Sequence, residues 1–230
     1  MNWWFLLYLQ HALGTTHVPV YYRVTDSTFF AQHRVQQPIV LTHPDTLLLD
    51  AALFHATNEA RRKAGVARCQ YDAMLYSAAR AHAESMLRNG YYGHDDPTNP
   101  LQKSVSDRIG MRTRRFAEVA ENIGQYQTID TDDWYAIRRD ARTGRFDFLS
   151  IDTKQPYAPY SYREYARFAV QQWLGSPHHR VNLLNPAFTH IGCAARLSAQ
   201  PYASRLIPFA RLVQNFGAER PPPVVVVPKQ

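Results

Sequence analysis

The chain has 230 residues, of which 45% are hydrophobic and 20% are charged, a composition typical of a folded globular protein rather than a disordered one. Two cysteines exclude a disulfide-rich miniprotein and a four-cysteine zinc site, and leave one disulfide or two free thiols. No apolar run reaches the roughly 18 residues of a membrane-spanning helix, so we expect no transmembrane span. The net charge is +7, and the basic residues occur in short groups without a nucleic-acid-binding motif, so we do not expect a nucleic-acid partner.

The first 45 residues are interpreted as an N-terminal lead-in. Residues 3–9 form a short apolar run without a preceding Lys or Arg. Residues 1–14 therefore fit either a degenerate secretion signal or an N-terminal arm packed on the domain, and both alternatives stay open. Residues 15–45 mix strand-like apolar pairs with polar breaks, which is typical of a lead-in rather than of a domain.

Helical spacing and capping residues predict the helices that follow. Ser161 and Glu164, for example, have the spacing of a reciprocal capping box. In chain order, the predicted helices run from Thr46 to Gly65, from Asp72 to Asn89, from Val105 to Met111, from Ser161 to Gly175 and from Pro177 to Leu184.

The remaining segments are predicted as loops, strands and an extended tail. Residues 140–146 suggest a hairpin within a longer segment, and 191–197 and 206–216 are strand-like, with Pro208 indicating an edge or a bulge. Residues 218–230 are rich in Pro and Val and predict an extended tail.

Three sequence contexts carry candidate chemistry: His94 in a turn-rich loop, Glu121 in an AENIG segment, and the pair His178 and His179 after a proline. None has the spacing of a local metal motif, so any shared site must be assembled by the fold.

Residues 173–186 read WLGSPHHRVNLLNP and resemble the signature W-x-x-S-P-G-H-R-x-N-I-L-x-P of bacterial SCP domains in the CAP superfamily. This superfamily comprises cysteine-rich secretory proteins, antigen 5 proteins and plant pathogenesis-related proteins. Further elements agree in order and spacing over residues 47–217: the N-x-x-R segment with Asn58 and Arg61, Gly93-His94, Glu121-Asn122-Ile123, the segment FTHIGCA at 188–194 and the segment VQNFG at 213–217.

The resemblance implies an α+β fold, a three-layer α-β-α sandwich with a central antiparallel sheet. The CAP domain would span residues 46–217, with an insertion at about 125–160. His94, His179 and Glu121 would line a binding cleft, and the two imidazoles would hold zinc or another divalent cation. A buried hydrogen-bond network formed by the same three residues is the alternative.

Two positions depart from the family pattern. Ser176 occupies the place of a second Glu that many eukaryotic members carry, and His178 replaces the usual glycine and adds a side chain to the cleft. The resemblance also places Cys69 and Cys193 on two strands; neighbouring strands would allow a disulfide, and two buried thiols are the alternative.

The resulting expectation is a non-enzymatic CAP-domain protein, extracellular or periplasmic as most relatives are, that binds a lipid, a glycan or a protein through its cleft. The first alternative is a metal-dependent hydrolase with Glu121 as general base. The second is a structural component of a larger assembly, which docks through the N-terminal arm, the insertion and the tail.

Overall fold

The computed structural model describes residues 18–221. The signal or arm predicted at residues 1–14, and all of the predicted tail after residue 221, lie outside this range. The α-helices of the described residues are α1 (Asp26–Ala31), α2 (Thr46–Lys63), α3 (Ala73–Arg88), α4 (Val105–Gly110), α5 (Tyr162–Gly175) and α6 (Pro177–Leu184). The strands are β1 (Gln70–Tyr71), β2 (Phe116–Gln127), β3 (Tyr135–Arg139), β4 (Phe146–Ser150), β5 (His190–Leu197) and β6 (Phe209–Glu219).

Side-chain caps begin the long helices where the sequence predicts them. The carboxylate of Asp45 accepts a hydrogen bond from the backbone N–H of Leu48 at 3.0 Å, and Asp72 caps α3 in the same way. The capping box of Ser161 and Glu164 is formed at the start of α5. These interactions satisfy backbone donors that have no partner within the first helical turn, and the predicted helices are thereby confirmed.

The central sheet has the strand order β1-β5-β6-β2. Strands β5, β6 and β2 are antiparallel, whereas β1 pairs with β5 in the parallel sense through Gln70 and Tyr71. The α+β fold class is confirmed, but the expected antiparallel sheet is mixed because this two-residue strand joins its edge. Strand β6 begins at Phe209 rather than at 206, since Pro208 has no N–H for the sheet ladder.

Helices cover both faces of this sheet, as the predicted three-layer sandwich requires. Successive side chains of β6 point to opposite faces: Val213 packs against α3, and Leu212 belongs to the larger core that α2 and α5 share. Helix α3 approaches β5 so closely that a Cβ at Gly192 would lie 2.0 Å from the backbone nitrogen of Tyr76. The glycine of the IGCA segment is therefore required by helix–sheet packing.

Residues 18–45 contribute side chains to the main core. Phe29, Val35 and Ile39 are almost fully buried against the domain. His55 of α2 is also buried, and its Nδ1 lies 2.8 Å from the carboxylate of Asp26. The domain boundary at residue 46 stays a prediction, but the packing of the core continues into this lead-in.

Two residues of the family-like N-x-x-R segment hold neighbouring elements in place. The side-chain amide of Asn58 bonds to both backbone polar groups of Cys69, just before β1. The guanidinium of Arg61 is fully buried and donates to four backbone carbonyls: Ala67, Leu183, Asn185 and Phe188. Arg61 thus fixes the end of α6 and the start of β5 relative to α2.

The segment 125–160 includes the predicted hairpin. Strands β3 and β4 form a separate two-stranded sheet. Phe148 of β4 is buried in the main core, whereas Trp134, just before β3, is 81% exposed. The hairpin is consequently attached to the domain through the middle of β4, and a large apolar side chain beside it is exposed.

Candidate functional site

Glu121 lies at the centre of the candidate site, on edge strand β2. Register pairs it with Asn215 of β6, and both side chains point to the sheet face covered by α3. Only 1% of the Glu121 side chain is exposed. A buried carboxylate needs charge and hydrogen-bond partners, and these come from four other parts of the chain.

His94 reaches Glu121 from the loop that follows α3. Its Nδ1 lies 3.0 Å from Oε1 of Glu121, while the ring remains 55% exposed. The hydrogen bond to Glu121 raises the pKa of His94 above its ordinary value, although burial of the ring opposes this shift. The nitrogen that faces the carboxylate carries the proton, which leaves Nε2 of the neutral ring as an acceptor or metal ligand.

Arg108 of α4 forms a buried ion pair with Glu121. Its Nη2 lies 2.9 Å from Oε1 and 2.8 Å from Oε2, and the same nitrogen approaches the carbonyl of His94 at 2.9 Å. The sequence did not indicate Arg108 as a site residue. Arg108 sits in a short helix with an ordinary capping box, and no local pattern distinguishes it from a solvated surface arginine.

His82 and Asn215 complete the surroundings of the carboxylate. The buried His82 places Nε2 3.0 Å from the carbonyl of Gly93 and 3.9 Å from Glu121, and burial lowers its pKa. With its amide oriented to satisfy both polar atoms, Asn215 donates to Oε2 of Glu121 at 3.1 Å and accepts from the backbone of Ala79. Neither residue was a sequence candidate.

His179 belongs to α6, and it lies within electrostatic range of His94. The amide of Asn122 donates to the backbone carbonyl of His179 at 3.1 Å, and Asn182 donates to the carbonyl of Glu121 at 3.3 Å, which attaches α6 to β2. Burial lowers the pKa of His179, and the positive charges of His94 and His178 lower it further. Nδ1 of His179 is buried without a hydrogen-bond partner.

The structure therefore brings His94, Glu121 and His179 together and leaves the other two predicted residues at the margin. Ser176 joins α5 to α6, and its side chain makes no capping hydrogen bond. His178 is exposed and interacts with His179 through charge. Within residues 18–221, no cluster of three or more His, Cys, Asp or Glu side chains is arranged to hold a metal ion, so the two imidazoles would need water ligands.

The two cysteines are buried free thiols rather than a disulfide, although β1 and β5 are neighbours. Sγ of Cys69 donates to the carbonyl of Phe188 at 3.3 Å. Cys193 is completely buried beside Gln214 and Thr57, and burial raises its pKa well above the ordinary value. Each thiol is thus accommodated separately in the core.

Across residues 18–221, no helix combines the length and apolar character that crossing a bilayer would require.

Comparison with known proteins gives relatives that share this domain. Over 138 residues the chain is 29% identical to the uncharacterized protein YkwD of Bacillus subtilis, an alignment of 59% of this chain and 38% of the relative. It is 26% identical over 136 residues to the uncharacterized membrane protein YlbC of the same organism, an alignment of 59% of this chain and 28% of the relative. The chain thus spans well under half the length of these curated relatives.

Two solved structures are similar to this chain. An extracellular protein containing an SCP domain from Bacillus anthracis aligns with 76% of this chain and 41% of its own, at 22% identity and a TM-score of 0.48. An outer surface protein from Borrelia burgdorferi aligns with 73% of this chain and 90% of its own, at 17% identity and a TM-score of 0.46. The model of the cysteine-rich secretory protein family, CAP, matches residues 54–216. The chain belongs to this CAP family.

Proposed function

We propose that this CAP domain is a binding module rather than an enzyme, and that its ligand or partner docks at the cleft between His94 and His179. The observation that carries this proposal is the state of Glu121. Both of its carboxylate oxygens accept hydrogen bonds from the buried Arg108, and His94 and Asn215 donate as well. A carboxylate held in this way is a poor general base, because taking up a proton would break the buried ion pair.

The two imidazoles fit a divalent cation such as zinc. His94 commits Nδ1 to Glu121 and presents Nε2, the arrangement in which a carboxylate orients a metal-binding histidine. His179 has a ring nitrogen without a partner, and its lowered pKa keeps the ring neutral near pH 7. A bound cation would supply a positively charged contact for an oxygen-bearing ligand, while this chain's residues would hold and orient it.

Titration with zinc tests the cation site. We expect purified wild-type chain to bind zinc in isothermal titration calorimetry, and the double variant His94→Ala/His179→Ala to lose at least about 100-fold in affinity, since two coordinating imidazoles are removed. His43→Ala is the matched control, because His43 is exposed and outside the cleft. Equal zinc binding by the wild type and the double variant would remove both histidines from the proposed site.

Hydrolysis is the proposal that competes with this one, and activity assays separate the two. We expect the wild-type chain to hydrolyse esters and peptides no faster than the Glu121→Gln variant, with or without added zinc. Turnover that chelation and Glu121→Gln both abolish would instead establish the metal-dependent hydrolase, with Glu121 as general base.

We also propose an extracellular or periplasmic location. Support comes from the CAP family and from the two structural neighbours, which are described as an extracellular and an outer surface protein. Fractionation of the source cells with an antibody against the domain tests this location, and recovery in the cytoplasm alone would contradict it. Lipid, glycan and protein remain the proposed classes of ligand.

A role as part of an assembly is the second candidate function, and the exposed Trp134 favours it. Ile137 and Ile151 on the same hairpin region are 41% and 44% exposed. Deleting the hairpin would remove the buried Phe148, so the point variant Trp134→Ser is the better test. Sedimentation velocity should show complexes of the wild type that Trp134→Ser lacks; identical distributions would contradict assembly through this surface.

A further inference from the structure

Arg211 on β6 is a buried cation without a hydrogen-bond acceptor for two of its nitrogens. The residue is 8% exposed, and Nε and Nη1 are both buried and unpartnered. The other two buried arginines of residues 18–221 are treated differently by the fold. Arg61 donates to four carbonyls, and the charge of Arg108 is paired with Glu121, although Nε of Arg108 is also buried without a partner. Arg211 therefore stands out as the buried guanidinium whose donors the described chain does not use.

Two aromatic rings contact the guanidinium of Arg211 in place of hydrogen-bond acceptors. The guanidinium carbon of Arg211 lies 5.0 Å from the ring centre of Tyr92 and 5.0 Å from that of Phe209. Stacking on rings compensates only part of the cost of removing a guanidinium from water, because rings leave the N–H donors unpaired. Burial correspondingly lowers the pKa of Arg211.

The charge around Arg211 is not balanced by its strand neighbours. Arg196 of β5 is its direct cross-strand partner, and Arg196 is itself paired with Asp50 and Glu84. Water would satisfy the free N–H groups of Arg211 but would leave its positive charge uncompensated. An anion satisfies both requirements, and the planar guanidinium is suited to the oxygens of a carboxylate or a phosphate.

Arg211 shares a sheet face with the cleft but is separate from it. The register pairs Arg211 with Gln125 and Asn215 with Glu121, so the two positions are four residues apart along β6, or about 13 Å. The same loop reaches both places. Tyr92 stacks on Arg211, and His94, two residues later, bonds to Glu121.

We propose that Arg211 is the binding residue of an oxyanion site, which takes a carboxylate or phosphate group beneath Tyr92. Tyr92 is 49% exposed and lies in a loop, and its hydroxyl bonds to the backbone of Gln125. Admission of an anion would therefore require its ring to give up this bond and part of its stacking on the guanidinium. The aromatic rings of Tyr92 and Phe209 would contact the part of the ligand next to the anionic group. This site involves none of the residues proposed to hold the cation.

Acetate and inorganic phosphate are the two probes of the test. The full chain is titrated with each at constant ionic strength, and the side-chain Nε–H resonance of Arg211 is followed by NMR, assigned by its loss in Arg211→Gln. We expect a saturable shift with at least one probe. In thermal melts the same probe should raise the Tm of the wild type and of the control Arg205→Gln, whose exposed arginine lies in the neighbouring loop, but not that of Arg211→Gln.

A second variant distinguishes binding from a structural role. Arg211→Met keeps an unbranched side chain about as long as the aliphatic stem of arginine and removes the unpaired charge, so without probe its Tm should equal or exceed that of the wild type. A response to acetate alone identifies a carboxylate site, and a response to phosphate alone identifies a phosphate site. The proposal is overturned if neither probe binds, if Arg211→Gln responds like the wild type, or if Arg211→Met melts well below the wild type.

Discussion

Arg108 and Glu121 form an ion pair with an N–O distance of 2.8 Å, and both side chains are at least 98% buried. The pair connects α4 to edge strand β2 directly behind the exposed ring of His94. Glu121 therefore stabilises the fold whether or not a ligand is bound. The pair also holds the loop of His94, because the same guanidinium nitrogen contacts the carbonyl of His94.

Removing one member of this pair should therefore be costly. We expect Arg108→Ala to lower the free energy of unfolding by about 3–5 kcal/mol, because it leaves an uncompensated buried carboxylate. Urea denaturation measures this loss. The control Arg138→Ala breaks the exposed pair with Asp147 and should cost less than about 1 kcal/mol. Equal losses of unfolding free energy in the two variants would show that the buried pair stabilises the fold no more than an exposed pair does.

The protonation of His94 should depend on Glu121. The hydrogen bond to Glu121 raises the pKa of His94 above 6.5, so the folded state favours the protonated ring. This contribution to stability is complete below pH 6.5 and is lost as the pH rises through the folded-state pKa, and it is small because the ring is half exposed. Glu121→Gln should bring the pKa of His94 down, as NMR titration of the ring protons would show. An unchanged titration of His94 in that variant would contradict the assignment.

Arg61 should be among the least replaceable residues of the domain. Its guanidinium donates to carbonyls of Leu183, Asn185 and Phe188 as well as to Ala67. We expect Arg61→Ala to destabilise the fold by more than about 3 kcal/mol, since several buried acceptors lose their partner at once. The neighbouring Arg62 is exposed, and Arg62→Ala should change the urea midpoint little. A small effect of Arg61→Ala would mean that water replaces the guanidinium.

Gly192 and Gly175 offer a matched pair for the packing of α3 on β5. A Cβ at Gly192 meets backbone atoms of α3 at 2.0 Å, whereas a Cβ at Gly175 meets nothing within 4 Å. We expect Gly192→Ala to cost about 3 kcal/mol or more, because a backbone cannot yield as a side chain does. Gly175→Ala should leave stability unchanged or raise it by up to about 1 kcal/mol. Comparable urea midpoints for both variants would refute this account of Gly192.

The sequence by itself determined the features that depend on neighbouring residues or on a family pattern. The capping box of Ser161 and Glu164, the cap at Asp72 and the helix periods are local, and they are formed where the sequence predicts them. The candidate residues His94, Glu121 and His179 came from the resemblance to CAP proteins. In the structure His94 bonds to Glu121, and its charge acts on His179, while the cleft itself stays a prediction.

Only the tertiary structure decided which residues occupy the interior around those three residues. Arg108 and Asn215 reach Glu121 from α4 and β6. The sequence context of Arg108 resembles that of a surface residue, and Asn215 lies in the family-like VQNFG segment, where no local signal indicates a contact with Glu121. The sequence around Arg211 is that of an ordinary strand, and only the structure shows that the rings of Tyr92 and Phe209 pack on its guanidinium. The physical reason is that burial of a charge and the identity of its partner are set by long-range packing, whereas capping and helical periodicity are set within a few residues of chain.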